Sequence, residues 1–154
     1  MQDYVAEEIT MANVFDVADH ILKKKGELTA MKLQKLVYYS QAWHSVWEEE
    51  VLFPERIEAW LNGPVCPVLY AEHRGKFKVD KETFKNKLEG NLTSSQLESI
   101  DSVINYYGDK TSQWLSDLTH QEQPWQQARK GLAQNERGTR EITVTSMQEF
   151  YEGL

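Results

Sequence analysis

Four histidines and one cysteine are the side chains in this 154-residue chain best suited to hold a metal or attack a carbon centre. His20, His44, His73 and His120 stand far apart, with no HExxH, CxxC or HxH pairing, so their spacing predicts no metal site. Cys66 lies between Val65 and Pro67 with no base signalled beside it, and it reads as a buried small residue or a helix cap. There is no GxSxG elbow, and the glycines fall mostly at predicted helix ends rather than in a phosphate-cradling loop, so no cofactor is expected. The stretch Thr119-His120-Gln121-Glu122-Gln123-Pro124-Trp125, followed by Arg129, is where acid–base chemistry is easiest to place. A small hydrolase-like enzyme would use His120 and Arg129 there. The same residues also have a structural reading, which is preferred. In it His120 bonds the last carbonyls of one helix, Pro124 opens the next, Trp125 fills the core and Arg129 pairs with a carboxylate. No residue is assigned as catalytic.

The elements that would position these residues are mainly helical. Asn13 caps a first helix carrying Val14, Val17, Ala18, Ile21 and Leu22, closed by Lys23 to Lys25 and Gly26. Thr29 caps a longer one running to about Trp47, with Leu33, Leu36, Val37, Ser40, Trp43 and Trp47 on one stripe and Tyr39 widening it, as expected of a central helix. Arg56 to Leu61 alternates like a short strand, Asn62-Gly63-Pro64 reads as a turn, and Pro67 opens a short helix ending at Gly75. Lys76 to Asp80 is read as a brief extended piece. Thr93 with Gln96 has capping-box spacing ahead of Leu97, Ile100, Ile104 and Tyr107. Shorter helices follow around Trp114 and from Pro124. Glu141 to Thr145 is read as a strand, and Thr145 with Gln148 as the start of a last helix. The expected fold is therefore mainly α: a compact single domain around a long central helix, with a minor β element. Residues 1–10 are read as a flexible leader and 11–154 as the domain.

Charge narrows the classes of partner. Seventeen Lys and Arg against 24 Asp and Glu leave a formal charge of −7, spread over both halves of the chain. Such a surface disfavours a phosphate backbone and suits a basic protein partner. A Thr29-capped helix resembles the start of a helix-turn-helix, but no Arg- and Lys-rich recognition helix follows, so a DNA-binding autoregulator is the weaker alternative and nucleic acid an unlikely ligand. The longest uncharged stretches are too short to cross a bilayer, and the acidic first residues do not look like a signal peptide. A cytoplasmic location with no membrane partner is the expectation.

Three blocks carry a resemblance. They are Met31-Lys32-Leu33-Gln34-Lys35-Leu36-Val37-Tyr38-Tyr39, then Glu58-Ala59-Trp60-Leu61-Asn62-Gly63-Pro64-Val65-Cys66-Pro67-Val68-Leu69-Tyr70, and Leu118-Thr119-His120 with Pro124-Trp125 and Ala128-Arg129. In order and spacing they resemble the Panacea antitoxin family, which includes SocA-like antitoxins and phage-associated proteins labelled GepA. The resemblance implies a helical domain that neutralises a cognate, neighbour-encoded protein toxin by direct contact. SocA-like relatives also suggest delivery of the toxin to a cytoplasmic ATP-dependent protease. Within the blocks, Leu33, Leu36, Asn62, Gly63, Pro64, Pro67, Thr119, His120, Pro124, Trp125 and Arg129 are read as structural. Lys32, Gln34 and Lys35 are placed on an exposed flank and, with Tyr38, Tyr39 and Tyr70, are the candidate toxin contacts, although burial is the better reading for the tyrosines.

Overall fold

The computed structural model describes residues 11–154, and the leader expected at 1–10 lies outside the described residues. Helix α1 spans Val14–Lys25 and is closed at its start by a reciprocal cap, in which the Asn13 carboxamide accepts from the Asp16 N–H while the Asp16 carboxylate accepts from the Asn13 N–H. That cap satisfies two backbone donors left over by the first turn. After β1 (Leu28–Thr29), the Thr29 hydroxyl caps α2, Ala30–Glu48. Glu49 then turns left-handed at φ 54°, which ends the helix at the first of three consecutive glutamates.

Strands β2 (Ile57–Trp60) and β3 (Gly63–Val65) form an antiparallel hairpin that pairs Trp60 with Gly63. The turn is therefore Leu61-Asn62, and Gly63 and Pro64 are strand residues rather than part of the turn. Pro67 begins α3, Pro67–His73, with the Cys66 residue as its cap and the thiol buried. β4 (Lys78–Val79) pairs back on β1, a small ladder that local pattern alone did not reveal. α4 (Ser94–Tyr107) opens on the predicted Thr93–Gln96 capping box. α5 (Ser112–His120) and α6 (Gln123–Ala128) follow in close succession. β5 (Glu141–Ile142) adds to β2, giving a three-stranded antiparallel sheet in the order β3-β2-β5.

The last helix, α7 (Val144–Glu152), is capped by Thr143, and the cap expected at Thr145 lies inside it. Both threonines are followed three positions later by a polar residue, and the strand pairing at Ile142 selects the earlier one.

The result is a mainly α, single domain, as expected, with α2 at its centre and α1, α4, α5, α7 and β3 packed around it. Leu33, Leu36, Val37, Tyr39 and Ala42 on α2 have no solvent exposure. Encirclement explains why the polar residues of this helix are also covered. Gln34, Lys35, Gln41 and His44 are all buried, so each must find a partner inside the protein.

Candidate functional site

The three motif blocks converge on the central helix. From α2, the Gln34 side chain docks on the backbone of Cys66: its Oε1 accepts from the Cys66 N–H at 2.9 Å and its Nε2 donates to the Cys66 carbonyl at 3.3 Å. The same amide nitrogen lies 3.0 Å from His73 Nε2, which must then accept and leave its proton on Nδ1. Burial holds the His73 pKa below the usual histidine value, consistent with a neutral ring.

At the next position, the Lys35 ammonium is buried with only the Pro64 carbonyl, at 3.5 Å, as a hydrogen-bond partner among the described residues, and burial brings its pKa down to about 7. Gly63 makes room for it. At φ 123°, a Cβ on Gly63 would stand 2.6 Å from Lys35 Cε. Neither the conformation nor the space admits a side chain there.

The third block ties itself to the hairpin through carbonyl oxygens. Trp125 Nε1 donates to Trp60 O at 2.8 Å, Arg129 Nη1 to Ala59 O at 3.2 Å, and Arg129 Nη2 to Glu136 O. The carboxylate partner expected for Arg129 is thus replaced by backbone, because the guanidinium is enclosed between the edge of β2 and the loop ahead of β5, where carbonyls are the available acceptors. Its guanidinium also lies over the Trp125 ring at 5.1 Å. The expected bond from the His120 ring to the last carbonyls of its helix is not formed either. The ring lies against Trp125, centroids 4.1 Å apart, and its buried Nε2 has no partner among the described residues. Burial, aided by the charge of Lys35, lowers its pKa.

Beside this seam sits a buried carboxylate. Glu122 accepts from the hydroxyls of Tyr39 and Tyr151, each at 2.7 Å. Since Tyr151 donates to Glu122, the 3.0 Å contact between Tyr151 and Tyr38 has Tyr38 as donor. Burial raises the Glu122 pKa, and its two phenolic donors pull it partly back. The hydroxyls of Tyr38, Tyr39 and Tyr151 are pushed up by burial, out of reach of ordinary titration. Tyr107 stacks on Tyr39 at 4.1 Å and receives the Trp43 indole N–H at 2.9 Å.

Of the six candidate contacts, Gln34 and Lys35 are corrected from exposed to buried, each only 1% accessible, because β3 and α5 pack on that side of α2 and His73 of α3 meets Gln34 there. Tyr38 and Tyr39 are buried as well. Lys32 is half-buried, and half-buried Tyr70 packs edge-on against Trp60 and lines a shallow hollow of about 380 Å³ beside Met31 and Phe77.

The larger opening lies elsewhere. A groove of about 690 Å³ is bounded by the end of α2 and by α4, α5 and α7, with Trp43, Trp47, Val103, Tyr106, Leu118, Phe150 and Leu154 on its walls and Glu122 lining it too. Trp47, Tyr106 and Leu154 are 46%, 66% and 74% exposed. The stripe reading counted Trp47 toward the apolar face of the central helix. The usable signal was that the apolar stripe of α2 continues to the last turn, beyond the point where other helices cover it.

The three blocks thus interlock within one helical domain through bonds to the backbone of the hairpin and of Cys66. The family model described as "Antitoxin SocA-like, Panacea domain" matches residues 33–126, well over half of the chain. The chain belongs to that family of antitoxin-like proteins. No curated protein and no solved structure gives a significant match. Among the described residues no helix is long and apolar enough to cross a membrane, and no group of three or more His, Cys, Asp or Glu has metal-binding geometry.

Proposed function

We propose that this protein is an antitoxin that neutralises a cognate, neighbour-encoded protein toxin in the cytoplasm by direct binding, with no chemistry of its own. The observation that carries this reading is the family membership across residues 33–126. It is supported by the use to which the motif residues are put: Gln34, Trp125 and Arg129 bond hairpin backbone, and Glu122 bonds two tyrosines. Stoichiometric capture at cellular concentrations needs a Kd of roughly 1 nM, about −12 kcal/mol. An interface of about 800 Å² on each partner with a few buried anchors supplies that. Delivery of the bound toxin to an ATP-dependent protease is a variant of the same reading.

The test is to induce the neighbouring open reading frame with and without this chain, and to purify the tagged chain. Rescue of growth with a stable complex supports occlusion. Rescue with loss of the neighbour from the cell supports proteolytic delivery. No rescue removes that pairing.

One observation favours a second reading. His120 keeps a buried ring nitrogen, unpartnered among the described residues and in the field of Lys35 and Arg129, as an acid–base group would. His120→Ala and Arg129→Ala separate the two readings. A catalytic role predicts lost activity in a protein that melts normally, whereas a scaffold role predicts that stability and function fall together.

A further inference from the structure

The groove between the end of α2 and helices α4, α5 and α7 is mostly apolar and is formed by segments whose charged side chains are all acidic. Its walls are mostly aromatic and aliphatic, with Ser102, Gln121 and Glu122 the polar exceptions, and Trp47, Tyr106 and Leu154 present exposed apolar surface. Helices α4, α5 and α7 contain no Lys or Arg, and none occurs in the chain between Lys35 and Arg56. Acids sit instead next to wall residues in the chain: Glu48 follows Trp47, Asp117 precedes Leu118, Glu149 precedes Phe150, and Glu152 lies two before Leu154. All four are exposed, and among the described residues none has an ionic partner, in contrast to Asp19, Glu58 and Glu82 elsewhere. The nearest lysine along the chain, Lys110, lies over the Trp114 ring.

Resting on the antitoxin reading, we propose that this groove is where the toxin docks, and that it takes a cationic amphipathic segment whose apolar face enters between Trp47, Tyr106 and Phe150 while its Lys and Arg residues meet the acidic surround. Charge excludes the other occupants. A second copy of this chain would bring an identical acidic rim against the first, because a two-fold contact apposes the same patch on both partners. Residues 1–10 contain Asp3, Glu7 and Glu8 and no Lys or Arg, a composition that does not complement an acidic surround. A basic segment gains twice, from burial of apolar surface and from long-range attraction that speeds encounter.

The probe is a fluorescein-labelled helical peptide of Leu and Lys, with a Leu and Glu counterpart of the same pattern, titrated by anisotropy into the full chain. The expected result is that only the Leu/Lys peptide binds, that Glu48→Lys with Glu49→Lys weakens it about tenfold or more, and that Tyr106→Ser weakens it at low and high salt alike. Glu27→Lys with Glu82→Lys, which makes the same change in net charge away from the groove, leaves binding within about twofold of wild type. Equal binding of the acidic peptide, or equal loss in the two charge-reversal variants, overturns the proposal.

The neighbour-induction assay supplies the second arm, with melting curves confirming that each variant is folded. If wild type rescues growth and the Glu48→Lys/Glu49→Lys and Tyr106→Ser variants do not, the groove is the docking site. If all rescue equally, the groove proposal falls while the antitoxin reading stands. If wild type itself fails to rescue, the antitoxin reading falls for that neighbour, and the groove proposal falls with it as a toxin site.

Discussion

Tyr39 and Tyr106 stand on neighbouring helices and share a stack of rings through Tyr107, but they belong to two different kinds of region. Tyr39 lies in a closed seam where hydroxyls, a carboxylate and an indole N–H are paired, and it has no solvent exposure. Tyr106 borders an open groove, 66% exposed, with its ring edge-on to Tyr107 and no polar partner among the described residues. The contrast teaches that aromatic content does not separate core from contact surface. Closure of the hydrogen-bond network does, since a buried hydroxyl without a partner costs about 1–3 kcal/mol and an exposed one bonds water.

The comparison can be broken most sharply at Gly63. Gly63→Val places a side chain at φ 123° and against Lys35 Cε, so a loss of roughly 3 kcal/mol or more, or failure to fold, is expected in denaturant titration. Near-normal stability would mean that the seam is plastic and that the closed region is not distinct after all. Next in size is Glu122→Leu, which removes the acceptor shared by Tyr39 and Tyr151. It should cost about 2–4 kcal/mol, and Glu122→Gln, which keeps an acceptor oxygen, should cost less. Equal effects of the two substitutions would show that packing rather than hydrogen bonding closes the seam.

Lys35 gives a pH-dependent test. Its pKa is about 7 in the folded protein against 10.5 as the ordinary value, so between those values the unfolded chain binds more protons. Stability should therefore rise as pH increases from about 7 towards 9, below the range in which tyrosines ionise in the unfolded chain, with the upper part of the rise offset by Cys66, whose thiol is pushed up to about 11 by burial and ionises first in the unfolded chain. His73 and His120, both shifted down, complete their contribution below about pH 7. Lys35→Met should flatten the rise. A wild-type profile already flat over this range would place the ammonium in contact with water. The smallest stability effect belongs to the groove: Tyr106→Ser should change unfolding free energy by no more than about 0.5 kcal/mol while weakening capture of the toxin, which sharpens the division between scaffold and contact.

Much of the fold was legible in the sequence because its signals are local. Asn13 with Asp16 and Thr93 with Gln96 close their caps within one helical turn, and Pro67 opens α3 as its fixed φ favours. The site was legible only in part. The motif blocks named Gly63, Trp125 and Arg129, which lie in or against the hairpin, but the partners were misjudged for His120 and Arg129, and the exposure for Gln34 and Lys35. On a helical wheel Lys35 looks like any solvated lysine; nothing within a few residues of it reveals that Gly63, from a hairpin strand, will lie across it.

The sequence by itself determined the helices, the starts of α1 to α4 and the central place of α2, since capping and apolar periodicity act over three or four residues. Tertiary structure alone decided which side chains meet water. Gln34 reaches Cys66 across 32 positions and Tyr39 reaches Glu122 across 83, and burial is set by such distant neighbours. The groove exists for the same reason in reverse: α4, α5 and α7 border the end of α2 without closing over it, leaving Trp43 and Trp47 partly uncovered.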